Sequence, residues 1–162
     1  MRRVTIHGSA MTPFTETRLR VRYAETDQMG VVYYANYYVW MEVARVALCK
    51  ACGFNYRDME QEDGILMAVA ESACRYRTPA KFDDEVVIKT WIGDANPRAV
   101  TIHYEMRLAD GDRVLATGHT RHLFVNPQMR RTRLPDKYFP MFGISPRSAE
   151  RTDSANGHVA ES

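Results

Sequence analysis

Long apolar runs are missing from this chain. Nowhere do about 18 hydrophobic residues follow one another, the length a membrane-spanning helix needs, and no span is expected. The opening MRRVTIHGSAMTPFTET has two arginines but no apolar core behind them, which makes it a poor signal peptide, and Met11 offers an alternative start. Cysteine is scarce and odd in number (Cys49, Cys52 and Cys74), too little for a disulfide framework, which points to reduced thiols in a cytoplasmic protein. Charge of one sign is not in excess either: 22 basic residues face 20 acidic ones, no dense Lys/Arg block occurs, and nucleic acid is not an expected partner.

Several chemical signatures are also absent. There is no H-E-x-x-H pair, no phosphate-binding glycine loop and no G-x-S-x-G nucleophile turn. His119-Thr-Arg-His122 lies in a strand pattern, where residues three apart face opposite sides, so it is a poor metal pair and no metal site is expected. Cys49-Lys-Ala-Cys52 resembles a redox pair on paper. It falls near the C-terminus of a helix pattern, where the dipole disfavours a thiolate, and reads as packing.

What is there suits one soluble domain with a real core: 162 residues, 45% hydrophobic and 26% charged. Residues 18–23 alternate as a half-buried strand with Tyr23 on its apolar face. Asn36 to Cys52 has helical length and ends at Gly53; its apolar residues exceed one stripe, so burial nearly all round is expected. A polar loop follows at 57–64. Strand patterns come next at 66–78, with small residues (Ala68, Ala70, Ser72) on the face of a close helix approach, and then at 85–92, 98–108 and 113–125. Asp94-Ala-Asn-Pro97 and Ala109-Asp-Gly-Asp112 supply turns. Short turns require antiparallel neighbours, so the fold class is α+β with about five strands and one long helix. The domain is expected over 17–144, with an extension at 1–16 and a polar, disordered tail at 145–162.

The stretch ETDQMGVVYYANYY, Glu25 to Tyr38, sets a lone carboxylate against a wall of aromatics. Asp27-x-x-Gly30 suits a type I turn. It also suits chemistry, because Asp27 stands just before the start of a helix, whose first N–H groups lack intrahelical partners and favour negative charge. Gly30 lets the backbone run close to a ligand, and Asn36 suits capping or orienting the helix start. Glu25 reads as an exposed loop acid and Glu71 as a solvent-facing strand residue. Tyr33, Tyr34, Tyr37, Tyr38 and Trp40 read mostly as packing, with one or two left to line a pocket.

Strand, Asp27-x-x-Gly30-Val-Val-Tyr-Tyr34-Ala-Asn36-Tyr and buried helix together resemble the 4-hydroxybenzoyl-CoA thioesterase and YbgC-like branch of the hotdog-fold acyl-CoA thioesterases. Arg75-Tyr-Arg-Thr-Pro79-Ala-Lys-Phe-Asp-Asp84 resembles a second segment of that family, and the likeness runs from about Thr17 to Pro140. The resemblance implies an antiparallel sheet wrapped around one long central helix. It implies dimers or tetramers with active sites at the dimer interface, acyl-CoA as substrate, and no cofactor beyond the coenzyme A of the substrate. Asp27 then acts as nucleophile or general base, and the backbone N–H of Tyr34, seven residues on, polarises the thioester carbonyl. Many YbgC-type relatives carry His where this chain has Tyr34, a change that a backbone donor tolerates. Gly30, Val31 and Asn36 fall at substrate-binding positions. Arg98, Arg130 and Arg131 fall where relatives hold the coenzyme phosphates. Rival readings are a non-catalytic acyl-CoA-binding module, a thioesterase for carrier-protein-bound acyl chains, and a hydratase; the last pairs His with an acid, and no His lies near Asp27. The acyl group stays open among short aliphatic, aryl and hydroxyaryl.

Overall fold

The structure, a computed structural model, describes residues 14–145. Its strands are β1 (Phe14–Arg20), β2 (Leu66–Tyr76), β3 (Glu85–Asn96), β4 (Ala99–Leu108) and β5 (Val114–Val125). They form one antiparallel sheet in the order β1-β3-β4-β5-β2. Its helices are α1 (Asn36–Ala51), α2 (Tyr56–Asp63) and the single turn α3 (Phe139–Phe142). The 1–16 and 145–162 segments expected to flank the domain lie mostly outside the described residues, and β1 begins at Phe14 rather than after Thr17.

The clean alternation of β4 is realised. Val100, Ile102, Tyr104 and Met106 are buried on the inner face, joined by Val86 and Ile88 of β3 and by Leu115, Ala116 and Phe124 of β5. From α1 the core receives Tyr37, Trp40, Met41, Ala44 and Leu48, which recur at three- and four-residue spacing and so share one stripe. Val39 and Val43, four residues apart, are 47% and 48% exposed. Burial all round is therefore corrected to burial on one side, because a single sheet covers only one side of a helix.

Three further expectations shift. Strand β1 stops at Arg20, and Tyr23 opens a 3-10 turn (Tyr23–Glu25) that leaves its ring 77% exposed, not on an apolar strand face. The polar loop at 57–64 is helix α2: Asn55 caps it by accepting the Arg57 N–H (3.2 Å), and Gly64 ends it in the left-handed region at φ 64°. The face expected to carry small residues in β2 is interrupted by a bulge between Val69 and Glu71, which shifts the side-chain parity. Ala70 and Ser72 are exposed at the sheet's edge. The close approach of helix to sheet occurs instead at Gly118 of β5, where an added Cβ would lie 2.3 Å from Met41 Cε and 2.6 Å from the Ala73 carbonyl oxygen.

The turn expected at Asp94–Pro97 sits two residues later. Strand β3 runs through a bulge to Asn96, whose side chain accepts the N–H groups of Arg98 (2.8 Å) and Ala99 (3.0 Å). The chain closes with Leu134, Phe139, Phe142 and Ile144 buried; the Phe142 ring lies 5.1 Å from that of Phe54 and 5.6 Å from that of Phe124. Asp63 at the end of α2 pins this segment, accepting from Tyr138 Oη (2.6 Å) and pairing with Lys137 Nζ (2.7 Å).

Candidate active site

Between β1 and α1 the chain makes a closed loop. Asp27 and Gly30 form its turn, with the Gly30 N–H on the Asp27 carbonyl (2.9 Å) and Gly30 at φ 73°, a conformation that glycine adopts freely. The Asp27 N–H donates to the Val31 carbonyl (2.9 Å), and Thr26 and Val32 form an antiparallel bridge beneath. The loop is moored on both sides: Val32 N–H donates to the Ala80 carbonyl (2.8 Å), and Tyr33 N–H to the Glu25 carbonyl (2.9 Å).

The turn reading and the chemical reading of Asp27 are compatible, because they use different atoms. Oδ1 accepts the Met29 N–H at 2.8 Å, an Asx turn. Among the described residues Oδ2 has no partner and no cation pairs with the carboxylate.

The entrance to α1 leaves donors free in the same place. Carbonyls of Tyr33, Tyr34 and Ala35 accept the N–H groups of Asn36 (3.0 Å), Tyr37 (3.4 Å) and Tyr38 (3.1 Å). The Tyr34 N–H itself donates to nothing among the described residues. Its peptide plane is fixed from the far side by the bond from Asn36 N–H to the Tyr33 carbonyl, and the Tyr34 carbonyl takes a second bond from Tyr76 Oη of β2 (3.0 Å). An oriented, unengaged N–H at a helix start is a ready donor to a negative oxygen. Asn36 orients rather than caps: as the first residue of α1 it donates its side-chain N–H to the Glu25 carbonyl (2.8 Å).

Glu25 is the residue that the sequence reading misplaced. It is 5% exposed, not a loop acid in water. Burial pushes its carboxyl pKa up, but hydrogen bonds from the Arg22 side chain and backbone and from the Trp40 indole, together with the Arg22 charge, outweigh that and hold it below the usual range. The only signal in the sequence was Arg22, three residues ahead; the Trp40 partner is fifteen residues away and becomes visible only once the helix is docked.

The aromatics divide. Tyr37 and Trp40 are buried with ring centroids 4.8 Å apart, and Tyr37 also meets Tyr76 edge-on at 5.1 Å. Tyr33 and Tyr34 stay exposed beside Asp27, rings 4.6 Å apart. Glu71 is exposed and pairs with His119 Nε2 at 3.0 Å. Cys49 is buried, which pushes its thiol pKa up to about 12, so it is no thiolate at neutral pH. Among the described residues no three His, Cys, Asp or Glu converge as a metal-holding group, and no helix is long and apolar enough to cross a membrane.

The arginines stand apart from Asp27. Strand β2 pairs Tyr76 with Ala116 at one end, near the Asp27 loop, and Leu66 with Val125 at the other. Val125 bridges Arg131, the Arg130 carbonyl accepts the Asn126 N–H (2.9 Å) while the Arg130 N–H donates to Asn126 Oδ1 (3.0 Å), and the Arg98 carbonyl accepts the Phe124 N–H (3.1 Å). Arg98, Arg130 and Arg131 therefore cluster at the far end of β2, whose 11 residues span about 35 Å at the usual rise per residue. Within one chain, Gly30, Val31, Tyr34 and Asn36 are brought together with Asp27, and the three arginines are not.

The structure thus sets Asp27 on a moored loop just ahead of the start of α1, above an antiparallel five-stranded sheet. The chain belongs to the thioesterase-like superfamily, whose model matches residues 21–141. An 82-residue stretch is 50% identical to YneP of Bacillus subtilis (strain 168), covering 51% of this chain and 59% of that protein. The chain thus spans less than two thirds of YneP. The acyl-CoA thioesterase YbgC of Haemophilus influenzae is 32% identical over 90 residues, 56% of this chain and 65% of that one. The crystal structure of a DHNA-CoA thioesterase from Staphylococcus aureus superposes with a TM-score of 0.73 at 30% identity, covering 92% of this chain and 97% of that one. The fold is that of the hotdog thioesterases, with a five-stranded antiparallel sheet.

Proposed function

We propose that this chain hydrolyses acyl-CoA thioesters to a free carboxylic acid and coenzyme A, with no metal or cofactor, α1 serving as the central helix around which the sheet curves. The observation that carries the reading is that one moored loop holds both an Asp27 oxygen and a Tyr34 N–H that have no partner among the described residues. A thioester needs little more. Its leaving thiol has an ordinary pKa of about 8.5, so departure requires no strong acid. Asp27 either takes a proton from an attacking water or attacks the carbonyl itself to form a mixed anhydride that water then opens. In both routes water supplies the oxygen of the acid, and the proton goes to the thiolate. The carbonyl oxygen gains negative charge as the carbon becomes tetrahedral, and the Tyr34 N–H, already oriented, stabilises it without reorganisation. Gly30, Val31 and Asn36 shape the floor beneath the acyl carbon.

The working unit is a dimer or tetramer. Strand β2 is an open edge whose middle residues, Val69 to Ala73, are exposed, and such an edge invites pairing. Antiparallel pairing of two β2 edges would bring the arginine end of one copy beside the Asp27 end of the other, which removes the gap within one chain. Coenzyme phosphates then rest on Arg98, Arg130 and Arg131 while the thioester reaches Asp27. Tyr33 and Tyr34 favour an aromatic acyl group over a short aliphatic one.

The test is a panel of aliphatic and aromatic acyl-CoAs, with matching acyl carrier proteins, monitored for free thiol. Wild-type protein should release thiol from acyl-CoA, and Asp27→Asn should lose at least about a hundredfold in kcat with the fold and mass unchanged. Undiminished turnover by Asp27→Asn removes Asp27 from the mechanism. Release from carrier-protein substrates alone moves the reading to that class, and tight acyl-CoA binding without any release makes the chain a binding module.

A further inference from the structure

Every polar atom of Glu25 is engaged. Its N–H donates to the Arg22 carbonyl (3.0 Å), and its own carbonyl accepts the Tyr33 N–H (2.9 Å) and Asn36 Nδ2 (2.8 Å). Its Oε1 accepts Trp40 Nε1 (3.0 Å) and Arg22 Nη2 (2.9 Å), and its Oε2 accepts the Arg22 N–H (2.8 Å). A carboxylate taken from water is costly unless so bonded, and a packed apolar side chain would hold a core as well or better. The charge therefore calls for a purpose other than bulk stability, and the partners indicate one.

They belong to the segments on which the site depends: the end of the β1 arm, the returning arm of the loop at Tyr33, and the first two turns of α1 at Asn36 and Trp40. Asp27 lies two residues beyond Glu25 and Tyr34 directly follows Tyr33, so the two arms that carry carboxylate and donor meet at this one residue. We infer that Glu25 is a positioning residue, which sets the distance and angle between the Asp27 carboxylate and the Tyr34 N–H by tying both loop arms to α1. Its catalytic consequence rests on the thioesterase reading; its structural consequence does not.

Glu25→Gln keeps the shape but turns an amide N–H toward positions where only donors sit. On this inference the variant folds and keeps KM within about threefold, while kcat falls about tenfold or more, as expected when a misplacement of about 1 Å weakens near-attack geometry. Amide hydrogen exchange should quicken selectively at Tyr33 and Asn36 and stay unchanged along β3 and β4. Trp40→Phe, which removes only the indole donor, should give a smaller loss of kcat, and the double variant should be no worse than Glu25→Gln alone. If Glu25→Gln does not fold, Trp40→Phe carries both measurements. A Glu25→Gln protein with wild-type kcat, a rise in KM alone, or uniform quickening of exchange with additive losses overturns the inference. If the wild type releases no thiol from any thioester, the functional reading falls, and selective or unselective exchange at Tyr33 still decides the role of Glu25.

Discussion

Asp27 uses one carboxylate oxygen to hold its own turn and leaves the other without a partner among the described residues, a division visible only with coordinates. Tyr34 divides in the same way: its carbonyl is held by Tyr37 and Tyr76, and its N–H meets no acceptor among the described residues. Tyr76→Phe should leave stability within about 1 kcal/mol, the net worth of one exposed hydrogen bond. It should lower kcat about three- to tenfold with little change in KM, because the peptide after Tyr34 loses an anchor; steady-state kinetics with calorimetry would check both, and an unchanged kcat would remove Tyr76 from the site. His122, fully buried beside Thr120 (2.8 Å), gives a pH prediction. Burial, with the nearby Arg45 charge, lowers its pKa from 6.5 to about 4. Between those values the unfolded chain takes up a proton that the folded chain refuses, so stability should fall as pH drops from about 6.5 toward 4, by about 3 kcal/mol in all. Urea unfolding at pH 7.5 and 5.0 should show most of that loss in the wild type and less in His122→Leu; equal losses would refute the assignment. The residues legible from sequence were those whose partners are near in the chain, Asp27 with Gly30 and the helix start. Glu25 and Tyr76 were not, because their partners Trp40 and Tyr34 lie 15 and 42 residues away.

At the scale of elements, periodicity carried the reading where one face is buried. The alternation of β4 and the length of α1 match the structure to within a residue. It failed where local geometry resets the phase. The bulge after Val69 moved the small residues of β2 out of the core, and the polar sequence of α2 hid a helix that Asn55 and Gly64 delimit. The contact that brings α1 closest to the sheet is one that a missing side chain creates. Gly118→Ala would press a methyl against the Ala73 carbonyl, which is backbone, and against Met41. Overpacking of this kind costs about 1–3 kcal/mol, so thermal unfolding should drop by several degrees, whereas Gly111→Ala, with nothing within 4 Å, should not show that drop. Equal melting temperatures for the two variants would mean that α1 and β2 yield without strain.

The whole molecule raises the question that no single element answers, since Asp27 and the arginines occupy opposite ends of β2. The two sheet edges differ. Strand β1 alternates Glu16, Arg18 and Arg20 along its edge, charges that deter pairing, whereas β2 presents Val69, 57% exposed, with Ala70, Ser72 and Ala73. If two β2 edges pair about a two-fold axis, each site takes its carboxylate from one copy and its arginines from the other. Light scattering should then show a dimer or tetramer, and charges placed at Val69 and Ala73 should give folded monomers with little activity. Subunit mixing is the sharper measurement. Asp27→Asn and Arg130→Ala/Arg131→Ala proteins should each be impaired alone at limiting acyl-CoA. Unfolded together and refolded, half of the dimers are mixed, and each mixed dimer has one site with both wild-type parts, which restores about a quarter of wild-type activity if the sites are independent. If the arginines served the Asp27 of their own chain, every site in a mixed dimer would lack either the carboxylate or the two arginines, and mixing would restore nothing.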